Sequence, residues 1–438
     1  MTHASPPRVA KLRALAVAGG LVGGPFGSNL GRRDYHSEGV PVIRGANLGN
    51  GRFTVDDLVF VLPEKADRLK SNLALPGDIV VTQRGTLGQV ARIPERHFDR
   101  WVVSQSQMAL RVDPEAANPS FVFWALRGPD LQHQIQARAI ATGVPHINLG
   151  IFGDLDVMLP DREHQSFAAE VLDAIDGRIE TSRQVAALAE NLATAIFRSW
   201  FVDFDPVRAK AAGEVPAGVP EDAVDLFPDR LIDSEIGPIP QGWQIVTLAM
   251  IAEQKRESQK AAEANPRAPY VGLDHMVPGE TALFDWGKRS DVSGVTTHFA
   301  AGDVLFGKLR PYFRKVVVAP LDGTCSKEIL VLSPISDADF GLLLGHVGSQ
   351  DFIDYCDRIS TGTRMPRAEW KVASEWKLAR PPDALSAQFT RLTKALYTHV
   401  QSLINESRSL AELRDALLPE LVSGRLRVPP DSRHEDGR

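Results

Sequence analysis

The sequence predicts an α+β protein built twice over: a mixed α/β block and a long helix, then a second such block and a second long helix. Three observations carry this. The chain has 438 residues, too many for one ordinary domain and suited to two or three. Two heptad-like stripes recur at a fixed offset, and the segment ahead of each stripe repeats the same turn motifs in the same order.

The first stripe spans Asp161–Trp200, with Val171, Ile175, Ile179, Ser182, Ala189, Leu192 and Ile196 on one face. The second spans Leu385–Leu421, with Leu392, Leu396, Val400, Leu403, Leu410, Leu413 and Leu417, each 221 positions after its counterpart (392 − 171, 417 − 196). Steps of three, four and seven mark helices that pack lengthwise on a partner helix. In the blocks, Leu75-Pro-Gly-Asp-Ile-Val-Val81 is echoed by Ala300-Ala-Gly-Asp-Val-Leu-Phe306, each a turn entering a buried strand. Ala141-Thr-Gly-Val-Pro-His146 is echoed by Ser360-Thr-Gly-Thr-Arg-Met-Pro366, and Leu159-Pro160 by Arg380-Pro381 at the helix entries. Six prolines in Asp203–Gly242 stop the first helix and read as a semi-rigid connector. The expected order is a first domain over 1–158, a helix over 159–204, a linker over 205–242, a second domain over 243–380, a helix over 381–424 and a disordered tail over 425–438.

Net charge is −6, which by itself disfavours nucleic acid. Residues 1–155, however, carry 17 Lys/Arg against 13 Asp/Glu, and residues 240–381 carry 17 against 17. The remainder holds 49 − 34 = 15 basic and 55 − 30 = 25 acidic residues, so the acid is concentrated in the helices and linker. Both blocks are free to present basic faces. Cys325 and Cys356 form neither a disulfide framework nor a zinc pattern and fit a reducing cytosol. The apolar stretch Ala14–Gly24 is diluted by glycine and too short to span a bilayer, so a cytoplasmic protein away from the membrane is expected.

Four segments, in order, carry a family resemblance: Gly24-Pro-Phe-Gly-Ser28 with Gly39-Val-Pro-Val-Ile-Arg-Gly-Ala-Asn47; Phe197-Arg-Ser-Trp-Phe-Val-Asp-Phe-Asp-Pro-Val207; Leu226–Trp243; and Leu413–Val428. Over roughly residues 8–428 the chain resembles the specificity subunits of type I restriction–modification systems. The resemblance implies two target recognition domains, each reading half of a split double-stranded DNA site. It implies that the helices pair as an antiparallel coiled coil and set the unread spacer. It further implies two methyltransferase subunits that use S-adenosylmethionine, and restriction/translocase subunits that use ATP and Mg, with no cofactor in this chain. The rival readings are an enzyme with its own centre and a helical scaffold that does not bind DNA.

Base readout needs bidentate polar side chains, and positioning needs cations and hydroxyls at phosphates. In the first block these are Arg44 and Asn47, Gln83, Arg84 and Thr86, Gln105 and Gln107, and Thr142, His146 and Asn148. The second block offers Phe306–Val318, with no acid, the four cations Lys308, Arg310, Arg314 and Lys315, and Tyr312. It adds His275, Lys327, Thr363, Arg364 and Arg367. Each alone also reads as a solvated surface residue. Trp200, Phe201 and Phe204, with Leu417 and Leu421, are expected either to contact the methyltransferase or to close the core between helix and domain.

Gly302-Asp-Val-Leu-Phe-Gly307-Lys308 imitates a phosphate loop, but Leu309 stands where a magnesium-binding hydroxyl belongs. No Asn-Pro-Pro-aromatic motif and no metal-spaced histidines occur, so no catalytic or metal site is expected.

Overall fold

The computed structural model describes residues 7–49, 51–55, 57–140, 143–259, 265–362 and 364–427. The chain divides into two units, one of Met1–Gly177 with Leu410–Arg438 and one of Arg178–Ser409.

In the first unit, short apolar runs broken by glycine and proline form β1 (Arg8–Lys11), β2 (Ala16–Gly23), β3 (Val40–Ile43), β4 (Val59–Val61), β5 (Leu73–Ala74), β6 (Ile79–Thr82), β7 (Val90–Arg92), β8 (Trp101–Val103), β9 (Gln107–Val112) and β10 (Asp156–Leu159). One sheet runs β2-β9-β6-β7, a second runs β4-β3-β8-β5, and β1 pairs with β10. Asn118 caps α1 (Pro119–Arg127), accepting from the Phe121 N–H; α2 (Pro129–Ala137) follows at once. The buried face of α1, with Phe121, Trp124 and Ala125, closes the core. The chain then enters α3 (Arg162–Phe201), of which residues 162–177 belong here.

The second unit repeats the plan with β11 (Gln244–Thr247), β12 (Ala252–Lys255), β13 (Pro269–Val271), β14 (Gly287–Lys288), β15 (Thr296–Phe299), β16 (Val304–Gly307), β17 (Val316–Val318), β18 (Gly323–Cys325), β19 (Ile329–Pro334) and β20 (Lys377–Arg380). Its sheets run β12-β19-β16-β17 and β15-β18-β13-β14, the latter extended beyond β15 by Ser258–Gln259, and β11 pairs with β20. Strand for strand this is the order of the first unit. The parallel pair β3–β8 recurs as β13–β18. Helices α4 (Phe340–Gly348) and α5 (Gln350–Ile359) stand where α1 and α2 did, before α6 (Asp383–Val422).

The repeated Gly-Asp turns explain one another. Gly77 and Gly302 have φ of 83° and 88°, a backbone that favours glycine. Asp78 then accepts the Leu75 N–H at 2.8 Å and Arg111 at 2.9 and 2.8 Å. Asp303 accepts the Ala300 N–H at 2.8 Å, Lys255 at 2.8 Å and the Ser333 hydroxyl. Each buried carboxylate thus ties a turn to a neighbouring strand.

Helices α3 and α6 differ by 221 positions at both ends, and within each unit they run antiparallel. In the first unit His164 Nε2 meets the Leu421 carbonyl and Asp176 meets Arg414 at 2.7 Å. In the second, Arg178 meets Glu406 at 2.8 Å and Phe197 packs near Phe389. The buried line of α3 is Leu172, Ile179, Ala186, Ala193 and Trp200, at strict sevens; on α6 the positions 221 later include the buried Thr393, Val400, Ser407 and Leu421. This corrects the stripe read from the sequence: Leu192 is 51% and Leu413 48% exposed. Ile179, Ser182, Val400 and Leu403 of that stripe are buried as expected, whereas Ala186, Ala193 and Ser407 are buried positions that hydrophobicity alone does not mark.

Residues 205–242 fold rather than merely connect. They form helices Asp205–Ala211 and Glu221–Val224 and a hairpin of Leu231–Ile232 with Ile239–Pro240, and they bury Val207, Ala223 and Phe227 in the second unit's core. Thr142, Thr363 and residues 428–438 of the expected tail lie outside the described residues. Among the described residues, no helix is long and apolar enough to cross a membrane.

His346 on α4 is buried edge-on to Phe197 at 5.0 Å, and burial pushes its imidazole down to about 4. The folded unit therefore keeps it neutral, whereas the unfolded chain protonates it near the ordinary value of 6.5. Its stabilising contribution is complete above pH 6.5 and is lost as pH falls toward 4, by about 3 kcal/mol. Denaturant titrations between pH 7 and 4 should show this loss in the native chain and a shallower acid limb in His346→Leu.

Candidate nucleic-acid interface

In each unit, three turns meet at one end of the first sheet and are held by the same backbone bonds. The Gln83 N–H donates to the Ser106 carbonyl, and the Lys308 N–H to the Glu328 carbonyl, both at 2.9 Å. Ile147 N–H donates to the Gln83 carbonyl at 3.0 Å, as Ala368 N–H does to the Lys308 carbonyl at 3.0 Å. The third turn is closed on itself by Ile140 bridging His146 and by Thr361 bridging Arg367. The framework is thus kept while the side chains on it differ: glutamine against lysine, serine against glutamate, histidine against arginine.

In the first unit the candidates divide by burial. Arg84, Thr86 and Gln105 are exposed around the joint. Gln83 Nε2 donates to the Gln105 carbonyl, and Gln105 Nε2 to the Gly27 carbonyl, drawing the Gly24–Gly27 loop onto the same turns. His146 is half-buried with Nδ1 3.1 Å from the Val144 carbonyl. Asn47 is fully buried; its Oδ1 accepts the Arg44 N–H at 2.9 Å and its amide donates to the Thr54 carbonyl. Gln107 is also fully buried and accepts from the Thr82 hydroxyl at 3.0 Å. Both amides shape the joint from below. Arg44 pairs with Asp57 at 3.2 Å, and Asn148 caps the short helix Leu149–Gly153 through the Ile151 N–H.

In the second unit four candidates are engaged internally. Lys308 pairs with Glu369 at 3.1 Å. Arg367 grips Glu328 through two bonds of 2.8 and 2.9 Å, holding that carboxyl below the usual carboxylate range. Lys315 donates to the Leu273 carbonyl, with burial pushing its ammonium down. His275 Nδ1 accepts the Gly272 N–H at 2.9 Å. Arg310, Arg314, Lys327 and Arg364 have no ion-pair partner among the described residues. Four unneutralised cations around one joint create a field suited to a polyanion.

Two exposed aromatic features stand beside these joints, of which the sequence reading names only Tyr312 as a candidate contact. Phe26 is 90% exposed. A side chain at Gly24 would meet the Ser104 carbonyl at 2.1 Å, so glycine is needed for the loop to lie this close. Tyr312 and Phe313 are 48% and 43% exposed, with ring centroids 4.7 Å apart. They are flanked by Arg310 and Arg314, both left-handed with φ of 51° and 52°. That conformation costs a non-glycine residue about 1–2 kcal/mol, and such strain is typically kept at functional loops.

The aromatic candidates for partner contact are placed in the core instead. Trp200, Phe201 and Phe204 are 2%, 4% and 8% exposed, and Leu421 is 1% exposed. Leu417 is half-buried. The exposed large apolar residues on the long helices are Leu188 and Leu192 on α3 and Leu413 on α6, the last being the counterpart of Leu192. Among the described residues, no three His, Cys, Asp or Glu side chains gather as a metal would require.

Comparison with known proteins gives a consistent picture. A family model for the type I restriction modification DNA specificity domain matches residues 30–190. The specificity subunit of the type I restriction enzyme EcoDI from Escherichia coli is 23% identical over 305 residues, 67% of this chain and 66% of that protein. That of HindI from Haemophilus influenzae is 22% identical across 92% of this chain and 98% of that one. The crystal structure of a type I restriction–modification S subunit from M. genitalium shares the fold, with a TM-score of 0.53 at 16% identity, covering 96% of this chain and 97% of that one.

Proposed function

We propose that this chain is a specificity subunit of the type I restriction–modification family, and that each of its two units reads one half of a split duplex target. The single observation that supports this most is the doubled joint: the same three turns on the same backbone bonds, with different exposed side chains. A constant frame with two diverged faces is what a bipartite reader needs. Arg84, Thr86 and Gln105 serve the first half-target, and Arg310, Arg314, Lys327 and Arg364 the second. Their guanidinium and amide groups are the usual readers of guanine and adenine edges, and the lysine meets phosphate. Asn47, Gln107, Lys308, Arg367 and His275 act by shaping the turns.

A specificity subunit is the non-catalytic member of its complex. Adenine methylation then falls to two methyltransferase subunits using S-adenosylmethionine, and cleavage to restriction subunits using ATP and Mg. The exposed Leu188–Leu192 patch on α3 and the counterpart Leu413 on α6 are the surfaces we assign to the two methyltransferases, since like surfaces suit like partners.

The test is to purify the chain with its methyltransferase and map methylated adenines on random-sequence DNA. A split motif with a fixed gap is the expected result; an active partner with no sequence selectivity would leave a helical scaffold as the better account. Arg84→Ala should relax selection in one half of the motif only, and Arg364→Ala in the other, each at a cost of about 1–3 kcal/mol.

A further inference from the structure

We propose that the exposed rings of Phe26 and of Tyr312–Phe313 enter the base stack, so that each half-target is read in a locally unstacked and bent duplex. This rests on the reading of the two joints as DNA-binding faces.

The argument begins with what the rings do not do. Phe26 is 90% exposed and adds nothing to the core. Yet its loop is fixed from both sides: Gly24 lies against the Ser104 carbonyl with no room for a side chain, and the Gly27 carbonyl accepts from Gln105 Nε2. A ring pinned at its base and bare at its tip is built to enter something else. Tyr312 and Phe313 show the same design by a different route. Pro311 between them and Arg310 is buried, the Arg310 N–H is held by the Pro366 carbonyl, and the Gly279 N–H by the Arg314 carbonyl. The two left-handed arginines turn the chain sharply on either side and leave the rings outward.

The position matters as much as the exposure. Single exposed apolar residues are common and need no explanation. These stand beside the three-turn joint of their own unit, and the second set lies between cations with no ion-pair partner among the described residues. The two loops are not counterparts in the repeat: one precedes β3, the other joins β16 to β17. Two unrelated loops thus supply an aromatic at the same kind of place. Apolar wedges that partly unstack a base step and bend the duplex are a general device of DNA-binding proteins, and aromatic rings stack on any base.

The experiment uses the full chain assembled with its methyltransferase, on duplexes carrying the mapped target and end-labelled with a donor and acceptor dye. Native complex should shorten the end-to-end distance. Phe26→Ala, and separately Tyr312→Ala with Phe313→Ala, should each lower affinity about tenfold and reduce the bend. A single mismatch, placed away from the methylated base, weakens stacking beforehand. Placed in the first half-target it should restore Phe26→Ala binding to within about threefold of native, and in the second half-target it should do so for the other variant. Thermal unfolding confirms that each variant folds, and Phe313→Leu serves where alanine does not.

Selective binding to unbent DNA, or losses that no mismatch relieves, would overturn the proposal while leaving the DNA-reading function intact. Loss of methyltransferase assembly by Phe26→Ala would overturn it in favour of a protein contact. Absence of any selective binding by the native complex would instead sink the reading on which it rests.

Discussion

Asp303→Ala should destabilise the second unit by about 3 kcal/mol, near the lower end of the 3–5 kcal/mol range for breaking a buried ion pair. The carboxylate is 5% exposed and accepts from the Ala300 N–H, Lys255 and the Ser333 hydroxyl. Alanine leaves a turn amide, a hydroxyl and an ammonium without their shared acceptor. The lower end is expected because the Lys255 side chain is 35% exposed and can turn to water. Asp303→Asn keeps an acceptor for the turn and should cost less. Lys255→Met combined with Asp303→Ala should cost less than the two singly added, because the stranded cation is gone. Urea titration followed by tryptophan fluorescence measures all three, and a loss below about 1 kcal/mol for Asp303→Ala would refute the assignment.

The second large effect separates core from docking surface. Trp200 packs with Phe227 at 5.2 Å, Phe389 at 5.9 Å and Phe201 at 6.0 Å. Trp200→Ala removes the largest side chain of that cluster and should cost about 3–5 kcal/mol. Leu192→Glu and Leu413→Glu change exposed positions, so their effect on unfolding should stay within about 0.5 kcal/mol. They should nevertheless abolish or sharply weaken co-purification with the methyltransferase. If Trp200→Ala left stability unchanged and lost only the partner, the residue would be a contact after all.

The contrast shows where the sequence was readable. Long, strongly periodic segments are the easiest feature to detect, and the helices begin and end within about two residues of the stripes. The repeat was readable because its Gly-Asp turns and Pro-marked helix entries are fixed by backbone conformation, which few residue types satisfy. The helix seam was legible at Ile179, Ser182, Val400 and Leu403 but not throughout: Leu192 and Leu413 lie outside it, and Ala186, Ala193 and Ser407 occupy buried positions where small side chains leave no hydrophobic signal. Trp200 and Phe204 have the same composition whether they dock a partner or fill a core. Likewise a buried amide that closes a turn, as Asn47 does, carries the same letters as one that reads a base. Only burial distinguishes them, and burial is a property of the fold rather than of the segment.

The division of the chain has a consequence for its synthesis. The first unit takes in the described residues 410–427 as well as its N-terminal part, and Leu418 and Leu421 are buried in its core beside Leu172. The unit formed by residues 178–409 is wholly translated before those leucines leave the ribosome. At about 5–20 residues per second the earliest-made domain waits tens of seconds for its last piece. Until then the part of the core beside Leu172 that Leu418 and Leu421 fill stays open to water, so the first unit completes its packing only after the second has been made.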